Sequence, residues 1–191
     1  MIMRPGQQLL LPASPTFIWG SLLAALLLNM APNMAGLGRA PWLPDFLALA
    51  LVFWSVHQPR RVGVGAAFTF GLLMDVHQSS LLGQHALAYT ALSYFAITIH
   101  RRLLWFPVPS QALQVMPLFL AAHAIELTIR MIAGGLFPGW SLLLAPVLES
   151  ALWPFVSVLL LMPQVLSLAK SSTPCAVLRM PSPSCFASRL V

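Results

Sequence analysis

Residues 140–162 read WSLLLAPVLESALWPFVSVLLLM, an apolar run interrupted by a single ionisable side chain, Glu149. A helix needs about 20 apolar residues to cross a hydrocarbon core of about 30 Å, and this run is long enough. Its apolar residues follow one another without alternation, which specifies a helix rather than a half-buried strand. Pro146 and Pro154 are tolerable in a membrane helix and predict kinks.

Working outward from it, five more apolar segments are marked off by charges, prolines and glycines: Phe17 to Ala31, Pro44 to His57, Val62 to Val76, Leu81 to Ile99 and Ala112 to Ala133. The second and third are short, at about 21 and 22 Å. They require thinned lipid, snorkelling arginines or burial within a bundle. The first is expected to be retained as a span rather than cleaved as a signal sequence. The reading is an all-α integral membrane protein with six transmembrane helices over residues 16–164. A cytoplasmic segment, 1–15, precedes them, and a Ser-, Pro- and Cys-rich cytoplasmic tail, 165–191, disordered by composition, follows.

Composition agrees. Of 191 residues, 59% are hydrophobic and 7% charged, with a mean hydropathy of +0.84. Soluble domains carry about 25% charged residues, so this chain cannot clothe a water-facing surface. The net charge of +6 does not indicate nucleic acid, because the basic residues occur singly or in pairs and form no continuous face. They report topology instead. With the N-terminus inside, eight of the ten basic residues fall on the cytoplasmic side: Arg4, Arg60, Arg61, Arg101, Arg102, Lys170, Arg179 and Arg189. That is the positive-inside pattern of a multi-pass protein with both termini cytoplasmic. Arg39 falls outside and Arg130 within the fifth segment. Trp42, Trp105 and Trp140 stand at segment edges, where indole rings anchor at the headgroups. Cys175 and Cys185 lie in the tail and make neither a disulfide framework nor a zinc spacing.

The four acidic residues, Asp45, Asp75, Glu126 and Glu149, all fall in or beside apolar segments. An ionisable group there costs about 2.5–3.5 kcal/mol on the insertion scale, which makes each a functional candidate. On the inferred topology they gather in the outer half. In the fifth segment His123, Glu126 and Arg130 share a face, and Glu126 and Arg130 are spaced to pair. That pair reads first as a lock on helix packing, and otherwise as a partner-helix contact or a ligand or proton pathway. In the third segment Gly63, Ala67 and Gly71 lead to Asp75 at intervals of four, a strip over which another backbone can approach. Packing within the chain and packing against a partner both fit it. No metal-ligand spacing, nucleophile elbow or phosphate loop occurs, and no metal or cofactor is expected.

Several stretches together resemble the MreD family of rod shape-determining membrane proteins. They are Pro44-Asp45-Phe46, Trp54, Gln58 to Gly65, Gly71-Leu72-Leu73-Met74-Asp75-Val76, Leu81 to Tyr89, His100 to Phe106 and Leu152-Trp153-Pro154. The resemblance implies a six-helix bundle like the S-components of energy-coupling-factor transporters. It also implies a non-enzymatic role in cell elongation: binding the bitopic protein MreC and acting beside MreB, the RodA glycosyltransferase and its transpeptidase in sidewall peptidoglycan synthesis at the inner membrane. Asp45, Gly63, Ala67, Gly71 and Asp75 are then the expected partner contacts. His77, His123, Glu126, Arg130 and Glu149 form an intramembrane polar group. A small-solute binding or transport subunit, with Asp75, His77, Glu126 and Glu149 lining a pocket, is the alternative. Many relatives have a glycine soon after the third-segment aspartate, where this chain reads His77-Gln78-Ser79-Ser80.

Overall fold

The computed structural model of the chain describes residues 14–34, 43–79, 81–135 and 139–172. These residues form six α-helices and no strand: α1 (Pro15–Met34), α2 (Phe46–His57), α3 (Val64–Gln78), α4 (Gln84–Leu103), α5 (Val108–Ile132) and α6 (Leu144–Ser172). A 3-10 turn, Trp140–Leu143, leads into α6. The expectations for Arg4, Arg39, Trp42, Cys175, Cys185, Arg179 and Arg189 fall outside the described residues.

The shortness of α2 has a direct explanation. Every residue from Leu47 to Val56 is buried, so this helix of about 18 Å is covered by protein on all sides. Burial within the bundle is the structure's answer among the three anticipated. Asp45 starts the helix, its Oδ1 accepting from the amides of Leu47 at 3.0 Å and Ala48 at 3.1 Å, as an N-cap side chain does.

Most helix boundaries differ from the sequence reading, and two of them are informative. Helix α5 begins at Val108 rather than Ala112, with Pro107 as its N-cap and Pro109 in its first turn. The first turn has no intrahelical use for an amide hydrogen, so Pro109 fits there instead of breaking the chain. Helix α6 runs to Ser172, past the tail boundary placed at Gln164, because nothing in Val165–Ser172 forbids helix.

Two stretches are long and apolar enough to cross a membrane, Ser110–Ile132 and Leu144–Gln164. Only 17% and 28% of their apolar windows are buried. The core helix of a soluble protein would be mostly covered, whereas these present apolar surface outward.

The chain forms two compact units, with the division after Ser157. In the second, the distal part of α6 continues as helix, and Gln164 Nε2 donates to the Leu160 carbonyl at 3.2 Å. In the first, cross-helix contacts fix the directions. Trp54 Nε1 donates to Ser21 Oγ at 2.8 Å, and Asn29 bonds Asp45, so α1 and α2 are antiparallel. Tyr89 reaches Asp45, and Ser55 lies 2.9 Å from Ser93 between hydroxyls, so α2 and α4 run the same way. Gly71 meets Ala86 across the antiparallel α3–α4 pair. Trp153 Nε1 to Gln111 Oε1 at 3.4 Å and His123 to Glu149 make α5 and α6 antiparallel. Alternating direction brings the C-terminal ends of α1, α3 and α5 together with the N-terminal ends of α2, α4 and α6. The acidic residues occupy that end. Arg60, Arg61, Arg101 and Arg102 occupy the other.

Candidate functional site

At the acid-bearing end the polar side chains form two linked groups. The first is built on Asp75. The N-cap of α4 is Gly83, which has φ +103° and no side chain to cap the free amides of the first turn. Asp75 supplies the missing acceptor from α3. Its Oδ2 accepts from Gly83 N–H at 2.8 Å and Ala86 N–H at 3.3 Å, and its Oδ1 from His85 N–H at 2.9 Å. Oδ1 also lies 2.8 Å from His85 Nδ1. Hydrogen bonds to a charged group contribute about 1.5–3 kcal/mol each, and the positive end of α4 favours a carboxylate here. Asp75 is buried as a consequence of this work.

The second group centres on Asp45 and Glu149. Asn29 donates its side-chain amide to Asp45 Oδ1 and accepts the Phe46 N–H at 3.1 Å. Tyr89 donates its hydroxyl to Asp45 Oδ2. The Asp45 N–H donates to Glu149 Oε1 at 2.9 Å, and the same oxygen lies 3.1 Å from His123 Nε2. Four helices, α1, α2, α4 and α6, thus meet on one aspartate, and α5 joins through His123. Glu149 is fully buried, and its Oε2 has no hydrogen-bond partner; nor has His123 Nδ1. Glu126 Oε2 stands 3.5 Å from His123 Nδ1, an electrostatic approach without hydrogen-bond geometry. The two groups touch through the edge contact of His85 with Tyr89, ring centroids 6.0 Å apart.

Two expectations change. Glu126 turns to His123 instead of Arg130, and no Glu126–Arg130 ion pair occurs among the described residues; Arg130 is exposed near the C-terminus of α5. The strip on α3 is also divided. Ala67 and Gly71 are buried, and a Cβ on Gly71 would stand 2.7 Å from Ala86 N and 2.9 Å from His85 C, so this glycine is required for the α3–α4 approach. Gly63, the N-cap of α3, has open space where a Cβ would go. Gly71 and Asp75 are therefore engaged within the chain. His77 is half-buried, with Nε2 unpartnered, and belongs to neither group.

Asn29, His85 and Tyr89 were not singled out from the sequence. A lone asparagine in the first apolar segment was the available sign for Asn29. For the other two it was a histidine and a tyrosine four apart, hence on one helix face.

Apart from Glu149 Oε2 and His123 Nδ1, the polar atoms of the two groups are bonded, and they tie helices together. Among the described residues no group of His, Cys, Asp and Glu is placed to hold a metal ion. A family model described as rod shape-determining protein MreD matches residues 13–163. The chain is similar to the rod shape-determining protein MreD of Haemophilus influenzae (strain ATCC 51907 / DSM 11121 / KW20 / Rd), 28% identical over 140 residues, covering 71% of this chain and 83% of that one. No solved structure matches.

Proposed function

Since this chain belongs to the MreD family of rod shape-determining membrane proteins, we propose that it is a non-enzymatic part of the cell-elongation machinery that docks the membrane helix of MreC. In this reading all six helices lie in the bacterial inner membrane in an S-component-like arrangement, with both termini cytoplasmic. MreB, RodA and its transpeptidase are reached indirectly.

The observation that carries the reading is the engagement of Asp45, Asp75 and Glu149 with the chain's own amides and rings. Those acids form a frame, and docking falls to the outward faces. The α3–α4 pair, closed at Gly71 and capped by Asp75, presents Phe68, Leu73 and Val76 on one helix and Leu87, Tyr94 and Phe95 on the other. In lipid, association rests on van der Waals fit and interhelical hydrogen bonds, and a rigid pair offers a fixed surface. Gly63 lies at its edge. Asp45, Ala67, Gly71 and Asp75 act on the partner by positioning that surface.

Photo-crosslinking residues placed at Phe68 and Leu73, compared with Leu113 and Phe155, test the placement. Crosslinks to MreC from α3 support it. Crosslinks solely from α5 or α6 would move the interface. Depleting the protein tests the function, since rounded cells are expected and normal rods would overturn it. The unpartnered atoms of Glu149 and His123 favour a second reading, a small-solute subunit. A solute retained through purification, together with normal rods on depletion, would select it.

A further inference from the structure

Two sequence triplets at the end opposite the acids repeat one pattern, Arg60-Arg61-Val62 and Arg101-Arg102-Leu103. In each, both arginines are exposed and the aliphatic residue that follows is fully buried. The buried residue pins the pair. Around the first, the Gln58 carbonyl accepts from Arg61 N–H at 3.0 Å and Val62 N–H at 3.1 Å, closing a tight turn. Around the second, the last turn of α4 carries both arginines, and Gln111 Nε2 donates to the Phe106 carbonyl at 3.0 Å, fixing the loop that follows. Trp105 is 83% exposed and Phe106 is exposed beside it. None of the four guanidinium groups has an ion-pair partner among the described residues, and all four acids lie at the far end.

Helix directions put both pairs at the same end of the helices, at different depths. From the Gly71–Ala86 contact, α3 runs about 12 Å back to Gly63 while α4 runs about 22 Å on to Arg101. A headgroup region is about 5–8 Å deep per leaflet, and arginine side chains extend along the bilayer normal, so a difference of about 10 Å is bridged.

We propose that Arg60, Arg61, Arg101 and Arg102 form a binding surface for the phosphate headgroups of anionic phospholipid. Guanidinium forks match phosphate oxygens bidentately. The neighbouring indole and phenyl rings suit the boundary between headgroup and acyl chain, which favours lipid over an acidic protein as the occupant. The surface does more than orient the chain, because arginine pairs select headgroup chemistry. The inference is independent of the family assignment.

Native mass spectrometry of the full chain, released from bilayer discs containing phosphatidylglycerol, diphosphatidylglycerol and phosphatidylcholine, provides the test. The wild type is expected to retain the two anionic lipids in preference to phosphatidylcholine, and to lose the preference near 1 M salt, where the Debye length is about 3 Å. Replacing all four arginines by glutamine should abolish it, replacing them by lysine should weaken it, and Arg130→Gln should leave it intact. No preference in the wild type, or equal retention by a folded glutamine variant, would overturn the proposal. Should that variant fail to fold, a wild-type preference unchanged by salt would overturn it equally. Protection of the arginines from phenylglyoxal by poly-glutamate but not by phosphatidylglycerol would assign the surface to an acidic protein and also overturn it.

Discussion

Asp75 on α3 accepts the amide hydrogen of Gly83 at 2.8 Å, so the carboxylate at the end of one helix caps the start of the next. Gly83 is in the left-handed region, which its lack of a Cβ permits. The same lack leaves no side chain to close the first turn of α4. The acid that reads as a membrane signpost is, in the fold, the cap that this glycine cannot provide.

Replacing Asp75 by alanine is therefore expected to cost at least about 1–3 kcal/mol, the penalty for leaving one buried donor without its acceptor, since the amides of Gly83, His85 and Ala86 all lose theirs. Asp75→Asn retains one acceptor oxygen and should cost less. Thermal unfolding in detergent gives the order, and hydrogen exchange should accelerate at Gly83, His85 and Ala86 in both variants.

Gly71→Ala forces its new methyl against the backbone of Ala86 and His85. Backbone cannot swing aside, so a loss of about 1–3 kcal/mol is expected. Gly65→Ala meets nothing within 4 Å and lies in α3, where alanine should be neutral or stabilising by up to about 1 kcal/mol. Unfolding of the two variants side by side distinguishes close packing from a general intolerance of α3 to substitution.

Ser79 ends α3 at φ +50°. A left-handed conformation costs a residue with a Cβ about 1–2 kcal/mol. Ser79→Gly should raise stability by about 1 kcal/mol after the extra freedom of glycine in the unfolded chain is subtracted. The turn keeps glycine-like geometry with serine in place. A lower melting temperature in the variant would contradict the account.

Tyr89→Phe and Asn29→Leu each remove one donor from Asp45. Each should cost about 1–3 kcal/mol. Because they share an acceptor, the double variant should depart from additivity by about 0.5–3 kcal/mol. An additive result would mean that the two donors act on Asp45 independently.

The helices and the gathering of the acids were readable in the sequence because both follow from one-dimensional patterns. Runs of apolar residues mark helices, and alternation of direction carries Asp45, Asp75, Glu126 and Glu149 to one end. What each acid bonds was not readable. Glu126 sits one turn from both His123 and Arg130, and periodicity cannot say which way a side chain turns. The Asp45 donors come from residues 29 and 89, and the Asp45 amide itself bonds Glu149, separations that no local pattern encodes. The start of α5 at Val108 was hidden for a related reason: a proline such as Pro109 reads as a break, yet in the first turn of a helix it is compatible with the fold.

The complete enclosure of α2 bears on how the chain is built. A twelve-residue helix falls well below the length of about 20 that lets a segment partition into lipid unaided, and its sides, once assembled, meet only protein. Its neighbours must arrive before it can settle. Enclosure of this segment is thus coupled to synthesis of α4, downstream of it, and a chain halted before Gln84 would leave apolar side chains of α2 uncovered.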